Sequence, residues 1–233
     1  MNEQFTRTEL LIGKENLDKL KNTHIALFGL GGVGGQLINL IRCGVGHIDL
    51  YDGDVISESN INRQVLANHS TIGRSKVDVA KEMILDINPE CVVNTFNKFF
   101  FKEDIEKIDF SKYQYVIDCI DTVSTKIAII KKCDELKVNL ISCLGTGNKI
   151  DASKLEITDI YKTSVCPLAK VLRHELKKLG IKKLKVCYSK ETPIKVVADS
   201  SNGRHSPGSM VFVPAVAGLL IGNEIIKDII KKD

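Results

Sequence analysis

Four glycines within six residues, Gly29-Leu30-Gly31-Gly32-Val33-Gly34, directly follow the apolar string His24-Ile25-Ala26-Leu27-Phe28 and open a stretch of helical spacing. Glycine lets a backbone approach a phosphate closely, and the first turn of a following helix offers unpaired N–H groups and partial positive charge. The pattern points to a nucleotide without saying which one. Asp52 closes the next apolar string and stands where a carboxylate accepts hydrogen bonds from ribose hydroxyls. To that point an NAD-dependent dehydrogenase satisfies the pattern equally well. The following stretch separates the readings: Asp54, Ser59, Asn60, Arg63 and Gln64, then Gly73-Arg74-Ser75-Lys76. A dinucleotide site needs room here for a second nucleoside. This chain instead supplies two cations, Arg63 and Lys76, with Asn60 as a polar positioner. Cations converging on a glycine loop are what the β- and γ-phosphates of a triphosphate require. Further on, Asp118-Cys119-Ile120-Asp121 closes another apolar string. Asp121, at or just past its end, is placed to hold Mg²⁺ on phosphate oxygens, because a hard cation takes carboxylate oxygen. Asp118 reads as a strand-terminating cap.

These residues need a frame. Apolar strings predict strands at 24–28, 47–51, 92–96, 115–118 and 139–143; helical spacing predicts helices at 33–43, 75–87 and 124–136, the second stopped by Asn88-Pro89. The alternation predicts an α/β fold, a Rossmann-like doubly wound and mostly parallel sheet covered on both faces. Such a sheet binds its ligand outside the carboxyl ends of its strands. After Gly145 the pattern loosens: a strand at 155–159, a helix at 167–179 with Pro167 in its first turn, a strand at 184–188, loop composition over 199–209 and a closing helix at 214–230. The expected organisation is a nucleotide-binding core over 1–150 and a C-terminal extension over 151–233 that adds strands and a closing helix, packed with the core as one compact unit. Gly218-x-x-x-Gly222 reads as close packing on the sheet, since the apolar run at 210–222 is shorter than the ~20 residues a spanning helix needs.

At 233 residues, 43% hydrophobic and 27% charged, the composition excludes a disordered chain, a collagen-like repeat and a membrane bundle. The seven cysteines, at 43, 91, 119, 133, 143, 166 and 187, include no Cys-x-x-Cys pair, so no zinc or redox half-site is expected. Several lie in apolar strings, where a reduced cysteine acts as a small hydrophobe. The first residues carry no apolar signal core, and a cytoplasmic, membrane-free protein is the expectation. Net charge is +4, yet residues 170–195 hold nine Lys/Arg against two Glu, which leaves the rest of the chain at −3. That segment suits a polyanionic partner or a solvated helix face.

Taken as a set, Gly29–Gly34, Asp52, Asn60-x-x-Arg63-Gln64, Lys76 and Asp118-Cys119-Ile120-Asp121 resemble the ubiquitin-activating-enzyme-like adenylating superfamily, over about residues 7–143. The resemblance implies ATP binding, with Asp52 on the ribose, Asn60, Arg63 and Lys76 on phosphates, and Asp121 on Mg²⁺. Arg7 is similar to the arginine that a dimer partner sends into the neighbouring site. The second half narrows the family. Gly145-Thr146-Gly147-Asn148-Lys149, the stretch from Asp159 through Lys162, Cys166-Pro167-Leu168-Ala169-Lys170 and Arg173, then Glu191-x-Pro193 and Phe212-Val213-Pro214, is similar to the tRNA threonylcarbamoyladenosine dehydratases.

What that likeness implies is ATP-dependent ring closure on the threonylcarbamoyl group of a modified adenosine in tRNA, through a carboxyl-adenylate, by a homodimer. Arg63, Lys76, Asp121 and Arg7 are then the catalytic set. Lys162, Lys170, Arg173, Lys177 and Lys178, with Lys182 and Lys183, are expected on tRNA phosphates. Intramolecular closure needs no covalent thiol, so Cys166, the exposed candidate, is expected to be incidental. His205, in the 199–209 loop, is a candidate base, though a lone loop histidine is usually just solvated. The alternative substrate is the C-terminal glycine of a small ubiquitin-like or sulfur-carrier protein, and a sulfur-transfer protein stays open as a partner.

Overall fold

The computed structural model describes residues 3–195 and 207–230. Seven strands form one sheet: β1 (His24–Phe28), β2 (His47–Tyr51), β3 (Val92–Phe96), β4 (Tyr115–Asp118), β5 (Asn139–Cys143), β6 (Leu155–Asp159) and β7 (Lys185–Ser189). Their order is β3-β2-β1-β4-β5-β7-β6, parallel throughout except for β6 against β7. Strands β1, β2, β4 and β5 are short apolar runs because both sheet faces are covered. Ile25, Leu27, Ile48, Leu50, Ile117 and Ile141 face the closing helix (Phe212–Ile230), which buries Val213, Ala217, Ile221 and Ile225 against them. Ala26, Phe28, Tyr51 and Val116 pack on the other face with Ile129 and Cys133. The chain reverses direction of winding between β1 and β4, and a crevice opens above that point.

The helices are α1 (Thr6–Ile12), α2 (Lys14–Lys21), α3 (Asn39–Arg42), α4 (Lys76–Ile87), α5 (Lys102–Ile105), α6 (Val123–Leu136), α7 (Pro167–Lys178) and α8 (Phe212–Ile230). Helix α4 starts after Ser75, buries Val77, Val79, Ala80 and Ile84, and ends before Asn88-Pro89, as its spacing predicts. The helix expected over 33–43 is not regular: residues Gly34–Ile38 form a 3-10 turn, and only α3 is α-helical. Two adjacent glycines weaken helix propensity there. The loop is also drawn in so far that a Cβ on Gly34 would lie 1.8 Å from the Gly29 carbonyl oxygen. Helix α8 lies directly on this turn. A Cβ on Gly218 would come within 2.5 Å of the Val33 carbonyl oxygen, so the small residue there serves close packing. Helices α1, α2 and α5 lacked a clear sequence signal because they are short and carry few core contacts; α2 buries only Leu17 and Leu20.

At the amino ends of the strands, away from the crevice, Asp49 is fully buried. Its Oδ1 accepts hydrogen bonds from His24 Nε2 (2.8 Å) and Asn94 Nδ2 (2.8 Å), and its Oδ2 from Lys112 Nζ (2.8 Å) and Tyr113 OH (2.6 Å). Burial alone would raise its pKa, but donors from Lys112, Tyr113, Asn94 and His24 hold it at about 2. His47 stacks on His24 at 3.7 Å between ring centroids, 9° from parallel. His24, His47 and Asp49 lie close enough to share a metal ion. The chemistry argues against one: Asp49 is saturated by four donors including an ammonium, and parallel imidazoles aim their lone pairs side by side rather than at one point.

Removing this carboxylate strands its donors, so Asp49→Ala is expected to cost about 3–5 kcal/mol in urea unfolding. Because the folded pKa lies below the ordinary 3.8, the stabilisation is present above that value and is lost as pH falls toward about 2. Thermal melts between pH 7 and pH 2 should therefore show a steeper acid loss for the wild type than for Asp49→Asn.

Candidate functional site

A cavity of ≈ 900 Å³ occupies the crevice at the carboxyl ends of β1, β2, β4 and β5. Its floor is the glycine loop. Gly29 takes φ +89°, donates its N–H to the Tyr51 carbonyl (2.9 Å), and a Cβ there would lie 2.7 Å from the Cys119 carbonyl oxygen. Gly31 and Gly32 line the cavity, and nothing lies within 4 Å of a Cβ built on Gly31. Gly34 is not among the lining residues; its place is inside the turn, against Gly29.

One wall carries the charges. Asp52, at the end of β2, accepts the Leu30 N–H on Oδ2 (2.6 Å) and the Asp54 N–H on Oδ1 (2.8 Å), which ties the strand end to the glycine loop. Its burial raises the carboxyl pKa, opposed by Lys76 and by those two amides. Lys76 opens α4 and is buried, with its Nζ 2.6 Å from Asp54 Oδ2. Arg63 Nη1 donates to the Ser59 carbonyl (2.8 Å) and to Asn62 Oδ1 (2.9 Å). Ser59 itself does not line the cavity; its carbonyl fixes Arg63 instead. Asn60 is buried and its Oδ1 accepts the Ser57 N–H (3.2 Å). Gln64 is also buried, lines the cavity, and leaves its Oε1 without a partner. Asp52, Asp54, Asn60, Arg63, Gln64 and Lys76 line the cavity together with Gly29, Gly31 and Gly32.

Across the cavity the two aspartates of Asp118-Cys119-Ile120-Asp121 part company. Asp118 is fully buried, with Oδ2 2.6 Å from Lys126 Nζ and 2.5 Å from Ser142 Oγ, and Oδ1 accepting the Ile120 N–H at 3.3 Å. The expected cap is thus also half of an interior ion pair. Lys126 further donates to the Cys143 carbonyl at 3.0 Å. Asp121 is exposed, lines the cavity, and has no hydrogen bond or ion pair among the described residues. A carboxylate without a protein partner is the ligand type a hard divalent ion takes, and Asp121 shares the cavity lining with Arg63 and Lys76. Lys126 was missed in the sequence; its one signal was a lysine on an otherwise apolar helix face with Ile129, Ile130 and Cys133.

Other expected residues lie elsewhere. Arg7, on α1, is exposed and is not part of the cavity lining. Cys166 is not exposed: only 3% accessible, it packs beneath the start of α7 with Ile130, Ile160 and Leu172. Position 166 directly precedes the helix, and its side chain turns into the core with Ala169. His205 lies outside the described residues. Helix α7 starts at the cavity, where Leu168 lines the wall, and buries Ala169, Leu172 and Leu176. Its outer face exposes Lys170, Lys177 and Lys178, with Lys162, Lys182 and Lys183 exposed nearby. Arg173 departs from that set, because its Nη1 donates to the Thr163 carbonyl (3.1 Å) and to Thr163 Oγ1. Lys178 is partly neutralised by Glu175 at 2.8 Å.

The model of the ThiF family matches residues 5–233. The tRNA threonylcarbamoyladenosine dehydratase of Bacillus subtilis is 42% identical over 99% of this chain and 96% of its own length. A crystal structure of Escherichia coli tRNA N6-threonylcarbamoyladenosine dehydratase with AMP superposes with a TM-score of 0.89 at 32% identity, covering 97% of this chain and 94% of that one. The same E. coli protein with ATP gives a TM-score of 0.89. The adenylyltransferase and sulfurtransferase UBA4 of Candida glabrata is 32% identical over 61% of this chain, which covers 33% of that protein.

A charge-assisted hydrogen bond contributes about 1.5–3 kcal/mol. Arg63→Ala and Lys76→Met are therefore each expected to weaken ATP binding by about tenfold or more in calorimetric titrations, with melting temperatures within a few degrees of wild type.

Proposed function

The chain belongs to the ThiF family, and on that premise we propose that it is an ATP-dependent adenylating enzyme that cyclises threonylcarbamoyladenosine in tRNA, with net loss of water. The observation that carries this reading is a cavity whose lining brings together the glycine loop, Arg63, Lys76 and Asp121. The near full-length similarity to named dehydratases selects the substrate. A triphosphate laid along the floor meets both cations, and Asp52 is at hand for the ribose. The threonyl carboxylate attacks the α-phosphorus of ATP, a P–O bond forms, and pyrophosphate leaves. The resulting acyl-adenylate carries AMP as a good leaving group. An atom of the same carbamoyl group then attacks the acyl carbon, the C–O bond to AMP breaks, and the attacking group's proton passes to water. Arg63 and Lys76 stabilise the charge that builds on the phosphates. Holding both reacting ends in one pocket lowers the barrier by roughly 7–11 kcal/mol. Asp121 is the residue that would hold Mg²⁺, which supplies charge neutralisation on phosphate oxygens. Lys76 reaches a triphosphate by exchanging its contact with Asp54.

In this reading residues 1–150 handle ATP and residues 151–233 form the tRNA side. The outer face of α7 leads away from the cavity mouth, so Lys162, Lys170, Lys177 and Lys178, with Lys182 and Lys183, meet tRNA phosphates without reading sequence. Arg173 contributes by fixing the Thr163 backbone. Arg7 acts from the partner subunit of a homodimer. A sulfur-transfer protein stays open as an auxiliary partner, although the cycle itself neither consumes nor releases sulfur. The proposed site of action is the cytoplasm, where tRNA is available as substrate; no helix among the described residues is long and apolar enough to cross a membrane.

Incubation of tRNA bearing threonylcarbamoyladenosine with the protein, ATP and Mg²⁺ should remove the mass of one water from that nucleoside. ATP binding with no mass change, and pyrophosphate exchange only when a carrier protein is added, would move the reading to the carrier's C-terminal glycine. Affinity for tRNA should fall at least tenfold when salt is raised severalfold, and an unchanged affinity would remove the α7 face from the interface. Mixing inactive Arg7→Ala with inactive Asp121→Ala subunits should restore part of the activity, since one site in the mixed dimer then has both residues; no recovery would place Arg7 outside the partner's site.

A further inference from the structure

The wall of the cavity contributed by residues 144–149 is held far more firmly than an exposed loop needs. Lys149 is buried and its Nζ donates to the Gly145 carbonyl at 2.8 Å. Glu191, also buried, accepts the N–H groups of Ile150 (3.1 Å) and Asp151 (2.9 Å). Asn148, at φ +59°, donates its N–H to the Gly208 carbonyl (2.7 Å), accepts the Gly208 N–H on Oδ1 (2.6 Å), and accepts the Ile194 N–H on its carbonyl (2.7 Å). Leu144 N–H is paired to the Cys187 carbonyl at 2.9 Å. Between these anchors the amides of Gly145, Thr146 and Gly147 have no partner among the described residues, and all three residues line the cavity. A peptide unit is planar and trans, so its C=O and N–H point in opposite directions. With the Gly145 carbonyl drawn back onto buried Lys149, the Thr146 N–H projects the other way, toward the cavity. Gly147 has no room for a side chain, since a Cβ there would lie 2.7 Å from Pro207 Cβ.

We propose that the Thr146 N–H is an anion-stabilising donor for the acyl transfer, and that Lys149 is the positioning residue that aims it. This inference rests on the dehydratase reading. When the carbamoyl atom attacks the acyl carbon, the carbonyl π-electrons move onto oxygen. The Thr146 N–H takes up that charge until the C–O bond to AMP breaks and the carbonyl reforms. A donor fixed in advance is worth far more than a mobile one, because nothing reorganises as charge develops. The buried charge of Lys149 behind the peptide also polarises it in the favourable sense. Burial lowers the Lys149 pKa, with Cys166 and Glu191 acting against that fall.

The test measures single-turnover dehydration of threonylcarbamoyladenosine in tRNA, together with ATP affinity, for the full chain. Lys149→Met removes the aiming donor at similar volume, and Thr146→Pro deletes the amide proton while leaving Lys149 in place. Both should lower kcat by about a hundredfold, with KM for tRNA and Kd for ATP within about threefold of wild type. Lys149→Arg, which keeps a cationic donor, should recover at least about tenfold over Lys149→Met. If Lys149→Met does not fold, Thr146→Pro carries the test on the same criteria. A kcat within about threefold of wild type for the folded variants overturns the proposal, as does a loss confined to ATP Kd. Wild-type protein run alongside separates the two levels. No mass change there overturns the dehydratase reading and this inference with it, whereas wild-type turnover with full-rate variants overturns the inference alone.

Discussion

Much of the site depends on one buried charge pair. Asp118 and Lys126 are both inaccessible to solvent and 2.6 Å apart, and between them they hold Ser142, the Ile120 amide and the Cys143 carbonyl. These are the points at which β4 and β5 give way to the cavity wall. Burying two charges is costly, and removing one partner of such a pair typically costs about 3–5 kcal/mol because the other is left uncompensated. The pair therefore acts as an all-or-none joint. It turns the chain after β4 so that Asp121 faces the cavity, and it sets the point from which residues 144–149 depart. An apolar contact of equal volume would fill the space without fixing those two carbonyl and amide directions.

The opposite wall follows a different logic. Its cations have replaceable partners: Lys76 pairs with Asp54, which is half exposed, and Arg63 contacts, among the described residues, only a carbonyl and an amide oxygen. A polyphosphate then replaces weak or exchangeable partners rather than strong ones. Asp52 sits between these regimes: its two backbone donors fix its position, and burial works against its charge. The cavity as a whole sets anchored acids near movable cations. That arrangement favours binding an anion that leaves again as pyrophosphate and AMP.

The strands and the longer helices were legible because their apolar spacing reflects burial on both faces of a sheet. The types of the charged site residues were legible too, since a glycine loop followed by Asp52, Arg63 and Lys76 has few other uses. What the sequence hid was pairing. Nothing local links Lys126 to Asp118 across a helical turn and a loop, or Lys149 to a carbonyl four residues back, or Arg173 to Thr163. The irregular turn at 34–38 was hidden for a related reason: its apolar periodicity is helical, but backbone crowding against Gly29 and α8 decides its conformation. Cys166 was expected at the surface, whereas its position before α7 turns it into the core.

Every residue assigned to ATP lies before position 122, yet the wall facing it is not completed by that part alone. Strand β5 pairs with β7, and Glu191, two residues beyond β7, secures the amides of Ile150 and Asp151, while Gly208 secures Asn148. The segment beyond residue 150 therefore secures that wall from behind and adds lining of its own at Leu168, Pro207, Ser209 and Pro214.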